Sequence, residues 1–236
     1  RSTVPVKTRK PLLKCLALLA ALSPFGLAQA MEQDRYILVL DVSNSMWGQI
    51  EGRSKMEIAR EVVGDMVKDW PADHEMGVVA YGHRRKSCQD IETLIPVGPV
   101  DAKVLNDTVK RLKPRGRTPL TASIEHAAGE LNYKEQPATL IVFSDGVESC
   151  GKDPCALAAE LEAANPTVTA HVVGFDLAAD QADSQLSCIA ENTGGRFFTA
   201  GSEGELYKVA QGLYAETVGK AIEAVRSRIG WEKVLI

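Results

Sequence analysis

The sequence predicts a doubly wound α/β domain: a mostly parallel six-stranded sheet with one antiparallel edge strand and helices on both faces. Three observations predict it. Continuous apolar runs of five to eight residues recur along the chain, as strands buried on both faces require. Segments with helical apolar spacing separate most of these runs, which is the pattern of parallel strands joined by crossover helices. One pair of runs is instead joined by a short polar turn, which reads as a hairpin.

The first strand is Tyr36–Leu40 (YILVL). A helix over Lys55–Trp70 follows, with Ile58, Val62, Val63, Met66, Val67 and Trp70 on one face and Pro71 as its stop. Met76–Tyr81 (MGVVAY) and Ile91–Val97 (IETLIPV) bracket the polar turn Gly82–Asp90 and form the hairpin. Asp101 caps a helix carrying Val104, Leu105, Val109 and Leu112, which ends before Pro114. Thr118-Pro119 opens another, with Leu120, Ile124, Ala127 and Leu131. Ala138–Phe143 (ATLIVF) is the next strand. Asp153-Pro154 starts a helix, with proline at a position where its missing N–H costs nothing. Val168–Phe175 (VTAHVVGF), a short helix over Ala182–Asn192 ended by Gly194-Gly195, and a last strand at Arg196–Ala200 complete the sheet. A long helix is expected from about Gly204, with 216–236 extending beyond what the sheet needs.

The 236 residues are 45% apolar and 25% charged, ordinary globular values that exclude a mainly disordered or multi-span chain. Residues 1–30 have the layout of a secretory signal peptide. Lys7, Arg9, Lys10 and Lys14 precede an apolar run from Cys15 to Leu27, and Ala28-Gln29-Ala30 offers a cleavage site. An uncleaved anchor is the alternative, but the run is shorter than the roughly 18 apolar residues a membrane helix needs. A periplasmic or secreted protein is the expectation. Removing 1–30 takes five of the 27 Lys/Arg and none of the 31 Asp/Glu, so the net charge falls from −4 to −9. Such a chain is not built to bind nucleic acid. Four cysteines remain, Cys88, Cys150, Cys155 and Cys188, an even number that reads as two disulfides in an exported chain. A tetrathiolate zinc site would want two close cysteine pairs, and only one is present.

Ligands of open parallel sheets bind at the carboxyl ends of the strands. The first strand ends in Asp41-Val42-Ser43-Asn44-Ser45, the strand at 138–143 ends in Ser144-Asp145-Gly146, and the helix after a basic loop opens with Thr118. Two carboxylates and three hydroxyls offer oxygen alone. That donor set suits a hard divalent cation, Mg²⁺ first, with Ca²⁺ and Mn²⁺ as alternatives.

With D-x-S-x-S at Asp41, Ser43 and Ser45, T-P-L at Thr118 and S-D-G at Asp145, the sequence resembles the von Willebrand factor type A (integrin I-like) domain over residues 34–215. That resemblance implies a Rossmann-like sheet and a metal-ion-dependent adhesion site with all five positions present. The Y-G-H-R turn at Tyr81–Arg84 and the E-S-C and D-P-C segments further resemble a bacterial, exported branch of the family. The family's mode of action implies that Ser43, Ser45 and Thr118 supply neutral ligands, while Asp41 and Asp145 act through water or hold the hydroxyls. One coordination position would then accept an Asp or Glu carboxylate from a protein partner. The expected activity is binding, not catalysis.

Two rival functions are weighed against this. A haloacid-dehalogenase-like phosphatase also has Asp at the end of its first strand, but needs a second carboxylate two residues on, where Ser43 stands. No G-x-S-x-G elbow or Walker A motif is present. A structural domain whose metal site serves stability alone is the other rival. Around the motif, Trp47 either shapes the site rim or covers a loop, and Glu148 either tunes the site beside Asp145 or, as the favoured reading, is a solvated acid. Arg111, Lys113, Arg115 and Arg117 form either a basic rim or a solvated charge run. His83-Arg84-Arg85-Lys86 is expected to be a solvated turn, and His171 a satisfied core histidine. Helices following neighbouring strands share a face, which favours Cys155–Cys188, with Cys88–Cys150 at the top of the sheet. A local Cys150–Cys155 loop is the rival pairing.

Overall fold

Tyr36–Leu40 lies in the interior of the sheet because its side chains are apolar and both faces of the sheet are covered. The computed structural model describes residues 34–68, 70–175 and 180–200, together with 208 and 212. The expected leader at 1–30 and the extension at 216–236 lie outside the described residues, and the helix expected from Gly204 lies almost wholly outside them. In chain order the elements are β1 (Arg35–Asp41), a 3₁₀ turn (Asn44–Trp47), β2 (Gln49–Ile50), β3 (Arg53–Ser54), α1 (Lys55–Lys68), β4 (Glu75–Tyr81) and β5 (Ile91–Pro99). Then come α2 (Ala102–Arg111), α3 (Leu120–Glu130), β6 (Ala138–Ser144), α4 (Pro154–Ala164), β7 (Val168–Phe175), α5 (Asp180–Asn192) and β8 (Phe197–Ala200).

The sheet has six strands in the order β5-β4-β1-β6-β7-β8. All neighbours are parallel except β4 and β5. The predicted architecture is thus the observed one. The edge position of β5 explains how it carries Pro96, since a missing N–H is tolerated there. Along β1 the side chains alternate between two cores. Tyr36, Leu38 and Leu40 pack with Ile58, Val62 and Met66 of α1 and Leu105 and Val109 of α2. Ile37 and Val39 pack with residues of α3, α4 and α5 on the opposite face.

Local chemistry sets the helix ends. Ser54 and Glu57 form a reciprocal capping box at the start of α1: the Glu57 carboxylate accepts from Ser54 N–H at 2.9 Å, and Ser54 Oγ accepts from Glu57 N–H at 3.2 Å. Asp101 caps α2 through Val104 N–H, and Asp153 caps α4 through the N–H groups of Cys155 and Ala156. The helix expected over Lys55–Trp70 is observed as Lys55–Lys68, with Trp70 outside it, and the β2–β3 hairpin before it went unpredicted. His171 is buried, and its Nδ1 accepts from Arg196 N–H at 3.2 Å, so it is a satisfied core histidine.

The Gly82–Asp90 turn is not merely a solvated tip. Asp90 is fully buried and accepts from Arg84 N–H, Arg85 N–H and Arg84 Nε at 2.8, 2.9 and 2.7 Å. Burial opposes its ionisation, but the Arg85 N–H, the Arg84 guanidinium and the Arg84 N–H outweigh it and hold the carboxyl below its ordinary value. Cys88 on this turn is bonded to Cys150, and Cys155 is bonded to Cys188. The topological pairing therefore holds and the local Cys150–Cys155 loop is excluded. Among the described residues no helix is long and apolar enough to cross a membrane.

Two predictions follow from these ties. Titration of the denatured, unreduced protein finds none of the thiols of Cys88, Cys150, Cys155 and Cys188, and replacing Cys155 and Cys188 by Ser lowers unfolding stability by about 2–4 kcal/mol; four free thiols would contradict the pairing. Because the folded Asp90 carboxyl is depressed, its contribution is present above the unfolded value of 3.8 and lost as pH falls through the lower folded value. Asp90→Asn therefore costs roughly 1.5–3 kcal/mol at neutral pH in urea unfolding, and the difference from wild type shrinks in acid. A pH-independent difference would contradict this.

Candidate metal centre

The chain runs outward from β1 to β4 on one side and to β6 on the other, so a crevice opens above β1 where the strand order reverses. Leu40 pairs with Phe143 across β1 and β6, which brings Asp41 beside Ser144 and close to the loop that begins with Asp145. Asp41 is fully buried. Its Oδ1 accepts from Ser43 N–H at 2.7 Å, and its Oδ2 accepts from Ser144 Oγ at 2.7 Å. Tyr81, at the end of β4, donates its hydroxyl to Ser144 Oγ at 3.2 Å. Asp41 thus fixes the backbone turn that carries both serines.

Those serines meet each other and the second carboxylate. Ser43 Oγ and Ser45 Oγ are 2.9 Å apart, and Ser45 Oγ donates to Asp145 Oδ1 at 2.7 Å. Four of the five expected ligands therefore form one hydrogen-bonded cluster. Thr118 is buried on the adjoining segment. A reciprocal pair ties it to the loop after Asp145: Thr118 N–H donates to Ser149 Oγ at 2.9 Å, and Ser149 N–H to Thr118 O at 3.0 Å.

Close backbone packing holds these segments. Ser43 and Gly116 form a parallel bridge, Asn44 N–H donates to Gly116 O, and Gly116 N–H donates to Gly82 O. A Cβ on Gly116 would lie 2.6 Å from Arg85 O and 2.8 Å from Gly82 Cα. One on Gly82, which has φ of +73°, would lie 2.7 Å from Arg117 O. Only glycines let the three segments approach this closely.

The electrostatics favour a positive charge beside the two carboxylates. Burial, then the charge of Asp145, raise the Asp41 carboxyl to about 6, against the opposing hydrogen bonds from Ser43 and Ser144. Lys55 already supplies one positive charge: its Nζ donates to Asp145 Oδ2 at 3.1 Å, with both side chains buried. The donor set is carboxylate and hydroxyl oxygen, which fits a hard divalent ion. Among the described residues no group of three or more His, Cys, Asp or Glu is placed to hold a metal ion, so any ion here depends on the hydroxyls beside the two carboxylates.

Sequence reasoning missed Lys55. A signal existed: Lys55 is the first residue of α1, where a cation opposes the helix dipole and needs a carboxylate partner. It also misread Glu148 as solvated. Glu148 accepts from Thr121 N–H at 2.7 Å and from Cys150 N–H at 2.6 Å. It thereby caps α3, whose N-cap residue, Pro119, has no side-chain bond to give. Trp47 is about half exposed, yet its indole N–H donates to Pro114 O at 3.0 Å. It is a fixed feature of the rim.

Comparisons with known proteins agree with this fold. Residues 36–148 match the family model of the von Willebrand factor type A domain. The uncharacterised protein YwmD of Bacillus subtilis (strain 168) is 25% identical over 193 residues, covering 78% of this chain and 86% of that protein. The solved von Willebrand factor type A protein from Catenulispora acidiphila superposes with a TM-score of 0.61 at 20% identity, over 79% of this chain and 43% of that one. Proximal thread matrix protein 1 from the mussel byssus, solved with a zinc-occupied metal-ion-dependent adhesion site, gives 0.59 at 17% identity over 79% of this chain and 48% of that one. This chain thus spans under half the length of either solved chain. Family model and structural neighbours together support a von Willebrand factor type A domain.

Lys55 gives this site a test of its own. A fixed ammonium repels a nearby divalent ion by at least about 1 kcal/mol even at water's dielectric constant, so Lys55→Met binds Mn²⁺ or Mg²⁺ about tenfold more tightly in calorimetry. The variant melts lower than wild type in EDTA and gains more from added metal. Unchanged or weaker metal affinity would contradict the assignment.

Proposed function

With a von Willebrand factor type A fold as the premise, we propose that this protein is an exported, metal-dependent protein-binding module without enzymatic activity. The observation that carries the reading is the cluster of Ser43, Ser45 and Asp145, braced by Asp41, at the crevice above β1. The hydroxyls of Ser43, Ser45 and Thr118 are neutral donors. Asp41 is already committed to holding Ser43 N–H and Ser144 Oγ, so it orients the site more than it neutralises it. Mg²⁺, with Ca²⁺ or Mn²⁺ as alternatives, would be held by these side chains and Asp145, and would offer an electrophilic position to an Asp or Glu carboxylate of a protein partner. The zinc-occupied site of the mussel protein supports divalent binding at this position of the fold.

The reading needs no reaction. Asp41 has Ser43 two residues on, so the paired carboxylate of phosphatase chemistry is missing from that loop. Export is supported by the composition of residues 1–30 and by two disulfides, which persist in oxidising compartments.

Capture of partners from the exported proteome, in Mg²⁺ and again in EDTA, tests the proposal. Wild type captures partners in Mg²⁺ alone, whereas Asp41→Ala and Thr118→Ala retain the fold by circular dichroism and capture nothing above the EDTA background. Chelator-insensitive capture, or wild-type capture by both variants, would overturn the proposal in favour of a purely structural domain.

A further inference from the structure

The partner's chemistry can be narrowed beyond one carboxylate. Between the end of α2 and Thr118 the chain alternates in exposure: Arg111, Lys113, Arg115 and Arg117 point to solvent, while Leu112 and Pro114 are buried. The side-chain bonds of two of these cations are to neutral groups, Arg111 to Thr108 Oγ1 at 3.4 Å and Arg117 to Cys88 Sγ at 3.7 Å. None of the four forms an ion pair with a described residue. Arg84 on the neighbouring β4–β5 turn is by contrast matched to Asp90 and Glu92 at 2.7 and 3.1 Å. In a chain of net charge −4, four neighbouring cations outside any ion pair, with Asp107 near Arg111, form a local reversal of sign.

Shape and position add to charge. Arg111, Lys113 and Arg115 line a cleft of about 550 Å³ together with His83 and Arg84, and no carboxylate is among its lining residues. The basic segment is joined to the metal centre by backbone: Arg115 N–H donates to Val42 O and Gly82 O, Gly116 bridges Ser43, and Arg117 directly precedes Thr118. Trp47, held by Pro114 O, exposes half its surface between the two regions, the kind of anchor that carries binding energy at interfaces.

We infer that Arg111, Lys113, Arg115 and Arg117 form a second recognition surface that takes an extended acidic segment of the protein partner whose carboxylate reaches the metal centre. The inference rests on the proposed metal-dependent reading. A protein segment is favoured over a small anion because the exposed cations alternate along one backbone segment that adjoins the metal centre, so a ligand carboxylate there would bring its neighbours beside that segment. Cations at every second residue match carboxylates at every second residue of an extended partner, each step about 6.6 Å.

The test uses a fluorescein-labelled peptide alternating Glu and Ser, titrated by anisotropy against the full chain in Mg²⁺ and in EDTA. The triple variant Arg111→Glu, Lys113→Glu, Arg115→Glu alters exposed side chains alone, and an unchanged melting temperature and Mg²⁺ calorimetry confirm its fold and metal centre. The expected result is at least about tenfold weaker peptide binding by the variant in both conditions, with wild-type binding falling as salt rises. Equal affinity of wild type and variant would overturn the inference. Wild-type binding that is identical in Mg²⁺ and EDTA, with the variant still weakened, would sustain the basic surface and sink the metal-dependent reading. Inorganic phosphate that saturates the wild type at sub-millimolar concentration and displaces the peptide would overturn the acidic-segment assignment in favour of a small-anion site.

Discussion

Two buried carboxylates of like charge, at the ends of neighbouring parallel strands, are the constraint around which the upper end of this molecule is arranged. Asp41 is fully buried and Asp145 nearly so, and their mutual repulsion adds to the effect of burial in raising the Asp41 carboxyl to about 6. A fold that places them there must supply compensation. It does so with the N–H of Ser43, the hydroxyls of Ser144 and Ser45, and the ammonium of Lys55. These donors come from three parts of the chain, the Ser43–Ser45 turn, the end of β6 and the start of α1, so the strand order and the start of α1 must be correct before the charges can be buried together. The Ser54–Glu57 capping box is part of this logic, because it fixes the residue at which α1 begins and therefore where Lys55 points from.

The same compensation has a functional reading. With Lys55 in place the pair carries one net negative charge rather than two, so a divalent ion would leave the centre positive and receptive to an outside carboxylate. Asp41 spends both oxygens on the protein itself, which leaves hydroxyls as the main direct donors. Around this centre the rim is stiffened at several points. Glu148 holds the first turn of α3, Ser149 holds Thr118, and the Cys88–Cys150 disulfide ties the β4–β5 turn to the loop after Asp145. The basic segment from Arg111 to Arg117 joins this rim through the Gly116–Ser43 bridge.

Much of this was legible in the sequence, for identifiable reasons. Strands buried on both faces announce themselves as unbroken apolar runs, and so β1, β6 and β7 could be read almost to the residue. The hairpin could be read from its polar turn, and the disulfide pairing from which helices share a face. D-x-S-x-S, T-P-L and S-D-G mark strand and helix ends, where ligands gather, and the structure brings Asp41, Ser43, Ser45 and Asp145 into one cluster. The short β2–β3 hairpin was not legible, because two-residue strands around Glu51-Gly52 carry no periodic pattern. Lys55, Glu148 and Asp90 were not legible either. Their roles depend on partners 90, 27 and five or six residues away, and a charged residue on a loop or helix end looks the same whether it faces water or a buried carboxylate.

The most direct test of the central claim is a crystal grown in Mn²⁺ and measured for anomalous scattering. The account predicts a single peak enclosed by Ser43, Ser45, Thr118 and Asp145, with the Ser45–Asp145 hydrogen bond broken in favour of the ion. An anomalous map with no peak there, and the two serines and Asp145 still bonded to one another, would contradict it.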